Sequence, residues 1–184
     1  DIVNAAILQN KPLQITKKKN SQEFMFYPYK IISDNWGFQE YLTGYSKKKN
    51  DPNDEKIASS FSMIRLEENE IKTRAKTRKK LFSEKEIKEL EKNILERSPS
   101  FLLGKKEKIH VRLTEAGKKL YHTKLNYRPQ KDSDSTENEY IFSCTEQQAY
   151  VYFFAFGADA EIISPISLRE RMKAAYKNAY EHYE

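Results

Sequence analysis

The chain has 184 residues, of which 38% are hydrophobic and 33% charged, enough for one domain or two small ones with a modest core. Its longest apolar run, Tyr150 to Phe156, is far too short to span a bilayer, and no signal peptide is visible. The net charge of +6 is one-sided: residues 1–80 hold 16 Lys and Arg against 10 Asp and Glu, whereas residues 81–184 hold 17 of each.

The basic half calls for an anionic partner, or else it is a solvated surface without a ligand. The lone cysteine, Cys144, excludes an internal disulfide and suits a reducing cytoplasm, where it reads as a small buried hydrophobe in a strand.

Asp1 is not a start methionine, as in a fragment. Ile2, Val3, Ala6, Ile7 and Leu8 form a short helical stripe. Lys11 to Thr16 is a first strand, Lys17 to Asn20 a basic turn, and Gln22 to Tyr27 the returning strand, continued by the proline-led run Phe26 to Ile32. The turn cluster Ser33–Asn35 precedes a strand from Trp36 to Tyr45. Period two puts Phe38, Glu40, Leu42 and Gly44 on the core side and Tyr41, Thr43 and Tyr45 on the other. A core-facing Glu40 is costly unless paired, so either a bulge re-aims it or the core opens there to a pocket or partner. After the polar loop Ser46 to Glu55, Ile57 to Ile64 is the next strand. Lys72, Arg74, Lys76 and Arg78 then alternate along one strand face, either tracking phosphates or guarding a sheet edge. Five short strands fit a small Sm-like or SH3-like β-barrel.

Ser83 and Glu86 form a capping box for a helix with Ile87, Leu90, Ile94 and Leu95 on one side, ending before Pro99. The boundary divides the chain into residues 1–98 and 99–184. Beyond it, Ile109 to Leu113 is a strand, Thr114 caps a helix to His122, and Leu125 to Arg128 is a second strand. Glu139 to Cys144 is a third strand, Thr145 with Gln148 caps a helix through Phe156, and Ala160 to Ile163 is a fourth. This is the ferredoxin-like β-α-β-β-α-β order, so the chain is predicted to be α+β. A final helix starts near Ser164-Pro165 or Ser167.

The stretch from 27 to 66 resembles the WYL domain. Pro28, then Glu40-Tyr41-Leu42 with Gly44-Tyr45, then Phe61 and Arg65 fall where that family has its proline, its Trp-Tyr-Leu triplet and its Phe-Arg-Leu-Asp-Arg-Ile segment. Glu40 replaces the Trp, Ser62 replaces the first Arg, and Ile64 replaces the Asp. The C-terminal part resembles the extension that WYL proteins commonly carry: Phe153 to Phe156, Gly157, Glu161 to Pro165, Leu168-Arg169 and Tyr183 follow in the family's order. The resemblance implies a barrel and a C-terminal extension. It also implies a bacterial, cytoplasmic transcription regulator that works as a homodimer and binds a nucleic-acid fragment or a nucleotide-like ligand. Operator DNA would be read by a winged helix-turn-helix upstream, which this chain lacks. Tyr41 and Arg65 are the candidate ligand contacts, with Ser62, Tyr29 and Lys30 around them. Arg65 can fork onto a phosphate and Tyr41 can stack on a base. The aromatic helix Tyr150 to Phe156 is expected to serve dimerisation.

No enzyme motif is present: there is no phosphate-binding G-x-x-x-x-G-K-[ST], no G-x-S-x-G and no C-x-x-C. His110, His122 and His182 are too dispersed for a metal motif. Neither catalysis, a metal nor a cofactor is expected. An alternative is an accessory single-stranded RNA- or DNA-binding protein of the phage-defence type, without an operator-binding domain of its own.

Overall fold

The computed structural model describes residues 2–34, 38–48, 55–75 and 80–183. Trp36, Lys76 and Arg78 therefore lie outside the described residues. Two compact units divide the chain, residues 1–103 and 104–184. Both are mixed α and β with antiparallel sheets.

In the first unit, helix α1 (Ile2–Leu8) precedes strands β1 (Leu13–Thr16), β2 (Glu23–Ser33), β3 (Glu40–Lys48) and β4 (Ile57–Ser62), helix α2 (Met63–Glu67), strand β5 (Glu70–Thr73) and helix α3 (Glu84–Arg97). The strand order is β4-β3-β2-β1-β5. β4 and β5 are thus opposite edges, and among the described residues the expected barrel is not closed. One face buries Val3, Ala6, Leu13, Ile15, Phe24, Phe26, Leu42 and Leu66. The other buries Tyr45 against Leu90 of α3 and Leu102, with Tyr27, Tyr29, Ala58 and Phe82 alongside. The segment 99–103, assigned from the sequence to the second domain, packs with the first because Phe101 and Leu102 are buried there and Ser60 donates to the Pro99 carbonyl.

Several strand limits differ from the predicted ones. β3 starts at Glu40 rather than Trp36: the Asp34 amide donates to the Gln39 carbonyl at 2.9 Å and the Phe38 amide to Asp34 Oδ1 at 3.1 Å, closing a turn. Phe38 is consequently 79% exposed instead of core, and Glu40 points to solvent. The strand expected to reach Ile64 ends at Ser62. A helical turn then lets Met63 and Leu66, three residues apart, share the core while Ile64 stays 64% exposed. Of the predicted basic strand, Lys72 lies on β5, which ends at Thr73; Arg74 and Ala75 follow it, and Lys76 and Arg78 lie outside the described residues. On α3 the capping box is present and Leu90 is fully buried, whereas Leu95 faces solvent. Each fully buried Leu or Phe of these layers contributes about 1.5–3 kcal/mol.

β2 carries the proline that its sequence announced. The register shifts between Pro28 and Lys30, a bulge that accommodates a residue without an amide hydrogen. Across from Pro28 lies Gly44, where a Cβ would sit 2.0 Å from the Tyr27 carbonyl oxygen.

In the second unit, β6 (Lys106–Leu113), α4 (Glu115–Thr123), β7 (Glu139–Thr145), α5 (Glu146–Phe153), β8 (Ala160–Ser164) and α6 (Ile166–Glu181) follow in order. The sheet has three strands, β7-β6-β8. The expected strand at 125–128 is absent: Tyr127 has φ of 59°, outside extended space, and the Arg128 amide closes a turn onto Leu125. A single bridge, Lys131 to Phe142, stands in its place. Buried phenols hold this loop instead of a ladder. Tyr152 donates to the Lys124 carbonyl at 2.8 Å and Tyr121 to the Pro129 carbonyl at 3.1 Å. Thr145 caps α5 as predicted, but Gln148 donates to the Tyr127 carbonyl and so also serves the loop. Cys144 is buried in β7, and burial pushes its thiol up to about 12, which leaves it unreactive. No helix among the described residues is long and apolar enough to cross a membrane.

Gly44→Ala should destabilise the first unit by about 3 kcal/mol or more, since the new methyl meets backbone rather than a movable side chain; a urea unfolding curve with an unshifted midpoint would refute the close approach. Tyr45→Phe should cost about 1 kcal/mol through loss of its bond to the Glu86 carbonyl. Burial, then Glu89 and Glu86, push the Tyr45 phenol up to about 12 from an ordinary 10. Its stabilisation is complete below pH 10 and is lost as pH rises through 12. The alkaline decline of the urea midpoint should therefore be shallower in Tyr45→Phe than in the parent.

Candidate ligand-binding site

Strand register decides which of the candidate residues meet. Tyr41 on β3 is the direct partner of Ser62 on β4 and of Ile32 on β2. By the same alternation Lys30 and Ser60 flank Thr43, in the next row along that face, and Tyr45 lies in the row beyond, under α3. Arg65 follows Ser62 by three residues, one turn on, within α2. Tyr41 and Ser62 are thus paired at the start of β3 and the end of β4, and Arg65 follows in α2.

Their surroundings differ. The Tyr41 hydroxyl donates to Gln39 Oε1 at 2.9 Å and its ring is half-buried. Ser62 is half-buried at the strand end. Arg65 is exposed, and among the described residues its guanidinium makes no ion pair with Glu40, Glu67 or Glu68. A guanidinium in that position remains available for a bidentate contact with a phosphate.

Tyr29 and Lys30 are committed elsewhere. The Tyr29 hydroxyl donates to Glu91 Oε1 of α3 at 2.6 Å, and the Lys30 ammonium lies 3.3 Å from the same oxygen and 4.8 Å from the Tyr29 ring centroid. The two donors hold the Glu91 carboxyl below its ordinary value, Tyr29 contributing most, and the same bond raises the Tyr29 phenol. Tyr29 and Lys30 fasten the bulge of β2 to α3. Next to them Lys56 donates to the Leu81 carbonyl and to Glu86, with its ammonium 4.7 Å from the Tyr27 ring. Neither Glu91 nor Lys56 was among the sequence candidates. The apolar positions Leu90 and Ile94 marked the face of α3 that meets the sheet, and Glu91 sits beside it.

Of the alternating basic row, Lys72 lies on β5 and pairs with Glu70 at 2.7 Å, and Arg74 follows the strand with its amide donating to the Pro12 carbonyl. The remaining two fall outside the described residues. In the second unit Arg112 bridges Glu139 and Glu161, both at 3.0 Å, and Glu161 also meets Arg169 at 2.9 Å. This crosslinks the three strands to α6 on an exposed surface, where each pair contributes little. Within the aromatic run, Tyr152, Phe153 and Phe156 are buried in the unit's own core, while Val151 and Phe154 stay partly exposed. No group of three or more potential metal ligands occurs among the described residues.

Comparison with known proteins follows this division. Residues 105–180 match the family model of the WCX domain. The crystal structure of a CRISPR Cas-related protein superposes with a TM-score of 0.74 at 22% identity, covering 98% of this chain and 51% of that one. The chain thus spans about half the length of that protein, and the likeness is one of fold. Proteasome accessory factor B/C (PafBC) of Arthrobacter aurescens superposes more loosely, with a TM-score of 0.43 at 14% identity over 100% of this chain and 27% of that one. No curated protein sequence matches. Residues 105–180, nearly all of the second unit, are thus similar to the WCX domain, the WYL-associated C-terminal extension.

Proposed function

We propose that the chain is the effector-sensing and dimerisation module of a WYL-type transcriptional regulator in a bacterial cytoplasm, not an enzyme. Its ligand is a nucleotide or a nucleic-acid-like anion. Tyr41 stacks on a base, Arg65 receives a phosphate, and Ser62 lies between them. What supports this reading is the pairing of Tyr41 with Ser62 at the sheet end from which α2 and Arg65 follow, Arg65 making no ion pair among the described residues, in a chain whose residues 105–180 match the WCX domain. Tyr29 and Lys30 act in it as positioning residues through Glu91. Homodimers form through the second unit, with operator DNA read by a separate upstream domain.

A second reading is an accessory single-stranded RNA- or DNA-binding protein without an operator. It is favoured by the fold shared with a protein described as CRISPR Cas-related.

Fluorescence anisotropy with short single-stranded oligomers and a nucleotide panel tests the site. Arg65→Ala should weaken binding about tenfold or more, a loss of about 1.5–3 kcal/mol for a hydrogen bond to a charged group, with the thermal midpoint nearly unchanged. Tyr41→Ala should weaken it by a similar factor. Unfolding by either substitution, or unaltered binding in both, would remove these residues from the site.

A further inference from the structure

Two lysine runs that are far apart in sequence come together at one end of the first unit's sheet. The β1–β2 turn is closed by the Lys17 amide donating to the Gln22 carbonyl at 2.9 Å, by Gln22 donating to Asn20 Oδ1 at 3.2 Å, and by Ser21 at φ of 54°. This geometry holds Lys18 and Lys19 at the tip, both exposed. Lys47 and Lys48 end β3, where Lys48 is the direct partner of Phe24 and Lys47 that of Met25. Lys17 extends its ammonium to 5.7 Å from the same Phe24 ring. Phe24 therefore stands between the two runs.

The carboxylates facing this end among the described residues are Glu23, Glu55 and Glu70. Glu70 is taken by Lys72. The side chains of Lys18, Lys19 and Lys48 make no ion pair or hydrogen bond among the described residues.

We propose that this end of the sheet is a second anion-binding surface, which carries the phosphodiester backbone of a nucleic-acid strand. It is separate from the Tyr41–Arg65 site and does not rest on it. Lys48 lies seven residues along β3 from Tyr41, roughly 23 Å at about 3.3 Å per residue. All five cations are lysines. Ammonium groups on flexible stems meet successive phosphates as point charges. Neighbouring strands are about 4.8 Å apart, so cations distributed over β1 to β3 are spread across roughly 10 Å, wide enough to meet more than one phosphate. Such contacts read no sequence; they set affinity and its salt dependence.

The test uses the whole chain with Lys18→Gln, Lys19→Gln and Lys48→Gln together, and a labelled mixed-sequence single-stranded DNA of about 20 nucleotides titrated over a salt series. The slope of log affinity against log salt should become shallower by about 2, at about 0.7 per lost phosphate contact. The same change should appear in an Arg65→Ala background. Circular dichroism of the triple variant should match the parent, because these side chains hold nothing in the fold. An unchanged slope would overturn the proposal while leaving the Tyr41–Arg65 site untouched. Equal binding of a polyglutamate peptide, lost in the triple variant, would overturn the assignment to nucleic acid. Loss of binding in Arg65→Ala alone would place all the affinity at the other site.

Discussion

The first unit depends on a strand that is buried on both faces. β3 presents Leu42 to one apolar layer and Tyr45 to the other, so neither its register nor its path can shift without exposing a core. Gly44 lies between those two residues, against the Tyr27 carbonyl and opposite Pro28. The bulge after Pro28 turns Tyr29 and Lys30 toward Glu91 of α3, and the Tyr45 hydroxyl reaches the Glu86 carbonyl one helical turn away. Backbone approach and phenol bonds thus fix the helix to the sheet. What remains open is the start of β3, where Tyr41 and Ser62 meet beside α2.

The second unit meets the same accounting problem with different means. A three-stranded sheet leaves a long crossing segment between α4 and β7 without a ladder. Its carbonyls are satisfied by the hydroxyls of Tyr121 and Tyr152 and by the Gln148 amide, all anchored in the aromatic core. Much of the aromatic content of the run 150–156 is explained by this internal task. That leaves Val151 and Phe154 at its surface, with Phe154 stacked 5.0 Å from Tyr176.

Charge is partitioned by the fold rather than spread evenly. On α3 and in the second unit, cations and carboxylates pair closely, as in Arg112–Glu139 and Lys56–Glu86. In the first unit Arg65 follows the end of β4, whereas Lys18, Lys19 and Lys48 lie at the other end of β3, and among the described residues these four side chains make no ion pair.

The sequence alone determined the local features whose causes are local. Ser83 with Glu86, Thr114 and Thr145 cap the helices they announce, Leu13 and Ile15 alternate into the core, and Cys144 is a buried strand residue. The order of motifs from Phe153 to Tyr183 announced the extension that residues 105–180 match. Tertiary structure decided everything that depended on competition between distant partners. Phe38 lost its core position to a turn closed by Asp34, and a helical turn replaced the end of β4 because Met63 and Leu66 bury better at that spacing. The strand at 125–128 gave way to a loop held by phenols from α4 and α5. Tyr29 and Lys30 met Glu91, a residue 61 to 62 positions away. Period and capping act over one turn, whereas the pairing of a side chain depends on which other elements the folded sheet brings within reach.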